Sequence, residues 1–84
     1  MNVREAFSYL NEDMLFMDPP RFDAAIIGYI ERAGGQPVIC YDKDKVLKIL
    51  MADGMGWDEA LEYYEFNVVG AYMGENTPVF LETL

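Results

Sequence analysis

The sequence predicts a small α+β domain: about four helices around a central C-terminal helix, with a two-stranded sheet, in the order α-α-β-α-α-β. Apolar residues recur at helical spacing in four segments bounded by capping residues and glycines. Two short stretches, "QPVICY" and "TPVFLE", read as strands. The chain has 84 residues, enough for one core and not for two, so residues 1–84 are expected to form a single globular domain.

The first helix is expected from Val3 to about Leu10, with Asn2 as cap and Val3, Phe7 and Leu10 on one side. "NEDMLFM" reads as a loop or a turn of helix laid on the core. The second helix has a clearer pattern. Asp18 is a good N-cap and Pro19 suits the first helical position. Phe22, Ala25, Ile26, Tyr29, Ile30 and Ala33 then repeat at helical spacing, and Gly34-Gly35 ends the run. Gly28 in its middle suggests a close helix contact.

"QPVICY" follows as a buried strand, and Asp42 caps a third helix running from Lys43 to about Asp53, where Gly54 ends it. The fourth helix starts near Trp57 or Asp58, with Asp58 and Glu59 at its positive end. It carries two apolar stripes, Trp57-Leu61-Tyr64-Val68-Ala71 and Tyr63-Phe66-Val69-Met73, and so reads as a central helix wrapped on most sides. Gly70 within it suggests that another element crosses closely, and Asn67 would need buried partners. Pro78 opens the second strand, where its missing donor is tolerable. Two strands alone are marginal, so they are expected to pair with each other. An open edge would let a second copy of the chain complete the sheet, giving a homo-oligomer.

Charge narrows the function. Formal net charge is −9. From Ile49 to Leu84 there are seven acids and no base, hence −7; the first 48 residues hold eight acids against six bases, −2. Binding nucleic acid through phosphates needs cations that this chain lacks, and an anionic membrane surface is disfavoured for the same reason. No stretch approaches the ~20 apolar residues of a membrane span. A protein partner with a basic surface is the favoured class. Acids without cations nearby cannot all rest in internal salt bridges.

Catalytic chemistry finds little to work with. There is no histidine, which removes the commonest general base and metal ligand. "VICYDKDKV" has the shape of the D-x-D-x-V motif of haloacid-dehalogenase-type phosphotransferases, but the larger parallel sheet carrying their remaining residues does not fit in this chain. Asp42 as a helix cap with Asp44 in the first turn is the simpler reading. No enzyme activity, metal or cofactor is expected. Cys40 is alone, so no intramolecular disulfide forms. It reads as a small core residue in preference to a reactive thiol. The charged N-terminus lacks the apolar run of a signal peptide, and a reducing cytoplasm is the expected location.

The candidate partner-binding residues are Trp57, Asp58, Glu59, Glu62, Glu65 and Glu75. Positions 58, 62 and 65 share a helix face. That face suits docking of a basic partner, a divalent cation, or merely solvent. Trp57 reads either as a core staple or as an exposed hot-spot residue, with core preferred.

The stretches "FDAAIIGYIERAGGQPVICYDKDKVLKIL" and "DGMGWDEALEYYEFNVVGAYMGENTPVF" resemble a family of small proteins encoded by tailed phages and prophages. The resemblance runs from about Asp18 to Phe80 and brings no mechanism with it. It implies a protein made inside a bacterial host cell. Small acidic phage proteins are often inhibitors of host enzymes or defence systems, some of them nucleic-acid mimics. The implied function is binding to a bacterial host protein as an inhibitor or anti-defence factor; the alternative is a structural or accessory protein acting through self-assembly.

Overall fold

The computed structural model describes residues 3–84; the expected cap Asn2 lies outside the described residues. A first helix, α1 (Val3–Ser8), leads through a loop to a 3₁₀ helix at Pro20–Ala25. A hairpin follows, with β1 (Ile26–Arg32) antiparallel to β2 (Gly35–Asp42) across the two-residue turn Ala33-Gly34. Gly34 has φ 75°, the left-handed backbone such turns need. Helices α2 (Lys43–Ala52) and α3 (Trp57–Tyr63) come next, and α3 passes without a break into a π-helix at Tyr64–Val69. The chain then returns as β3 (Val79–Leu81), parallel to β2, giving a mixed three-stranded sheet in the order β1-β2-β3. The described residues form a compact α+β fold with four helices, counting α3 and its π extension as one.

The core is built on β2. Val38, Ile39, Cys40 and Tyr41 are all buried in succession, as befits a central strand. Ile39 and Tyr41 join Phe22 and Ala25 of the 3₁₀ helix, Val46, Leu47 and Leu50 of α2, and Ala60, Tyr64 and Val68 of the last helix in one apolar cluster. Phe80 of β3 stacks on Tyr41 at 5.7 Å and meets the Tyr64 ring edge-on at 5.6 Å, which fastens the last strand to the last helix. Two polar ties hold the loops. Buried Asn11 donates from Nδ2 to Pro37 O and to Asn76 Oδ1, each at 2.9 Å. The Met17 N–H donates to Tyr41 Oη at 2.8 Å.

The third helix runs as expected. Asp42 Oδ2 accepts from the Lys45 N–H at 3.0 Å, so Asp42 is a helix cap. Gly54, at φ 108°, follows its end.

Three expectations are corrected. The helix expected from Asp18 to Gly34 is instead a short 3₁₀ turn followed by strand β1. Asp18 makes no cap; the Asp18–Pro19 bond is cis and the 3₁₀ helix starts after it. The apolar spacing fitted a helix, but Ile26, Ile27, Tyr29 and Ile30 are strand formers, and the Ala33-Gly34 turn brings them onto "QPVICY". Gly28 sits opposite Cys40 beside an irregularity in the ladder, with nothing within 4 Å of where a Cβ would stand. It marks no helix contact. The sheet accordingly has three strands where two were expected, and the element order is ααββααβ if the π segment is counted with α3.

The central helix is the third correction. The helix from Trp57 ends at Gly70, and only Ala60, Tyr64 and Val68 of its residues are buried. It lies on the outside of the core, which is centred on β2. The crowding at exposed Gly70 comes from its own turn: a Cβ there would stand 2.9 Å from Glu65 O and 3.0 Å from Phe66 O of the same π turn.

Candidate functional site

The last helix presents two different sides. Ala60, Tyr64 and Val68, four residues apart, face the core. The expected second apolar stripe is open to solvent: Phe66 is 74% exposed, Met73 71%, Val69 52% and Tyr63 41%. Tyr72 is exposed beside them, and Asn67 is exposed too, so it has no need of buried partners. The π turn takes part in this arrangement. The Gly70 N–H bonds to Glu65 O, five residues back, at 3.1 Å, and the absent Cβ of glycine is what lets that carbonyl approach. Single π turns inside helices recur at functional sites.

The acids lie on the same outer surface, divided between two flanks. Asp58, Glu59 and Glu62 line one concavity together with Met55, Tyr63, Phe66 and Asn67. Glu65 and Glu75 line another, with Lys43, Arg32, Tyr64, Val69, Tyr72 and Glu82. The six residues singled out from sequence are therefore not one patch. Trp57 is 52% exposed, which corrects its preferred placement in the core, and it lines neither concavity.

Among the described residues, Asp58, Glu59, Glu62, Glu65 and Glu75 take part in no ion pair. The acids after Ile49 that do find cations are Asp53, bridged to Arg21, and Glu82, 3.2 Å from Lys43 Nζ. Lys43 Nζ also stands 5.5 Å from the centre of the Tyr64 ring. Burial, aided by the charges of Glu82 and Asp42, pushes the Tyr64 hydroxyl up to about 12.

Asp42 and Asp44 gather no further ligands: among the described residues no group of three or more His, Cys, Asp or Glu side chains could hold a metal ion. Cys40 is buried, and burial followed by the charge of Asp42 raises its thiol above the ordinary value. No described helix is long and apolar enough to cross a membrane.

A third concavity lies between the acidic flanks. It is mainly apolar, lined by Leu15, Phe16 and Met17 of the first loop, Phe22, Val68, Phe80 and Pro78, with Tyr63 and Asn67 on one side and Ala71, Met73 and Thr77 on the other. Sequence reasoning missed this surface, because an unbroken apolar run reads as core. The available signal was one of capacity: a chain of 84 residues has too little material to wrap both stripes of a helix.

No protein family, curated protein or solved structure matches this chain.

Proposed function

We propose that the chain is a non-enzymatic binding protein that docks its last helix on a basic surface of a bacterial host protein, acting as an inhibitor or anti-defence factor. The single observation that carries this reading is the outer surface of that helix. Asp58, Glu59 and Glu62 stand there without cations among the described residues, and Tyr63 and Phe66 are exposed between them. Uncompensated acids speed encounter with a basic partner, and exposed aromatics supply the apolar contact that holds it. Where the partner's surface normally holds nucleic acid, the carboxylates take the place of phosphates. The bacterial host rests on the sequence resemblance to phage-encoded proteins.

The experiment is capture from bacterial lysate by the immobilised chain, alongside the variant Asp58→Asn/Glu59→Gln/Glu62→Gln. A basic protein retained by the first and lost by the second supports the reading. Identical retention by both contradicts it.

Self-assembly is the second reading, favoured by the sheet. Strand alternation puts Ile30, Val38, Cys40 and Val79 on the face opposite Ile39, Tyr41 and Phe80. Ile30 and Val79 are exposed there, and β1 is an edge strand of the described sheet. Val38 and Cys40 on that face are already buried and Asp42 shares it, so the place where two copies would meet is the outer edge of β1 beside Ile30. A mass in solution above that of one chain, returned to one chain by Ile30→Lys, identifies that assembly.

A further inference from the structure

The apolar cleft and the acidic concavity beside it share a wall, since Tyr63 and Asn67 line both. Resting on the reading above, we infer that the two together recognise an amphipathic cationic segment of the partner: one large apolar side chain enters the cleft, and Lys or Arg residues beside it meet Asp58, Glu59 and Glu62.

Size and chemistry both select this occupant. The cleft measures about 280 Å³. That is just below the ~300–1,000 Å³ of pockets that enclose whole small-molecule ligands, and it suits a single side chain. Its wall has few polar groups to orient a small molecule. Thr77 Oγ1 is already engaged, donating to Gly74 O at 2.6 Å and accepting from the Met73 N–H at 2.8 Å. Asp18 adds another carboxylate at the rim and no cation among the described residues lines the cleft, so an anionic ligand is disfavoured. Across the shared wall, the neighbouring concavity has three carboxylates and likewise no cation among the described residues. A partner contacting both must therefore be apolar at one point and positive at the next. A cationic amphipathic helix has that pattern, with its apolar anchors and charges on adjoining faces.

The test uses a synthetic helical peptide with leucines on one face and lysines on the adjoining one, and two controls in which serine replaces the leucines or glutamate replaces the lysines. Binding is read from the fluorescence anisotropy of the peptide, which carries a dye at one end. The Leu/Lys peptide is expected to bind, and both controls to bind at least about tenfold more weakly. Ala71→Trp fills the cleft from an exposed position outside the helix, and Met73→Ser removes an apolar part of its rim without adding charge. Each is expected to weaken the Leu/Lys peptide about tenfold, with the circular dichroism spectrum unchanged. If both variants bind that peptide as the parent does, while Glu59→Gln/Glu62→Gln still weakens it, the cleft is not the anchor site. The inference then falls and the acidic reading stands. If the cleft variants lose the peptide and the charge variant does not, the acidic reading itself is overturned, and the two-part site with it.

Discussion

Tyr64 and Phe66 stand two residues apart on one helix and face opposite ways: Tyr64 is 4% exposed and packs on Phe80, whereas Phe66 is 74% exposed. The contrast divides the helix into a structural side and a free side, and it is measurable as stability. Tyr64→Ala should cost about 3–5 kcal/mol, the usual loss for a large buried aromatic. Phe66→Ser should change stability by no more than about 0.5 kcal/mol. Urea denaturation of the two variants checks this, and a comparable loss at both positions would return the helix to the core.

Gly70 is needed for a local reason. Its N–H closes the π turn on Glu65 O, and any Cβ would meet that carbonyl at 2.9 Å. Gly70→Val should therefore destabilise by about 1–3 kcal/mol. Because the clash is confined to the turn, Gly70→Ala should already show most of the loss. A series in which alanine is harmless and only larger residues destabilise would mean that another element, and not the helix's own backbone, limits the space.

Alkaline pH should loosen the fold. Burial raises the Tyr64 hydroxyl to about 12 and moves Tyr41 in the same direction, against an ordinary tyrosine value of 10. The folded chain keeps these protons after the unfolded chain has lost them. Their contribution is thus complete below pH ~10 and falls away as pH rises towards the folded value. Melting temperature should decline from about pH 10 to 12, less steeply in Tyr64→Phe than in the parent, once the constant offset of the substitution is removed. Equal slopes would show that Tyr64 is not protected.

Cys40 should behave as a core residue. It lies in the central strand with its thiol raised by burial. A thiol reagent at neutral pH should modify it slowly in the native chain and rapidly in denaturant. Fast native labelling would place it at the surface.

Several boundaries set by local chemistry read correctly, although Asp18, read in the same way as a cap before Pro19, makes none. Asp42 caps α2 by accepting from the Lys45 N–H, Gly54 follows its end at a positive φ, α3 starts at Trp57 and Pro78 precedes β3. Strand β1 escaped because Phe22, Ala25, Ile26, Tyr29 and Ile30 fit a helical period as well as a strand, and the decision comes from pairing with Val38–Tyr41. The acidic residues of the candidate site were legible from charge alone. Their division between two concavities was not, because it depends on how β3 and the 71–78 loop return past the helix. The free side of that helix was invisible for a related reason: apolar residues in a core and in a docking face have the same composition, and only the number of elements available to cover them tells the two apart.

The most direct measurement of the central claim is the association rate of the chain with its captured partner as salt rises. The Debye length shrinks from ~10 Å at 0.1 M to ~3 Å at 1 M. If Asp58, Glu59 and Glu62 steer the encounter, the rate should fall at least about tenfold over that range. Glu59→Gln/Glu62→Gln should be slower at low salt and converge on the parent at high salt, with melting temperatures alike because exposed charges contribute little to stability. A rate indifferent to both salt and the double substitution would contradict the account.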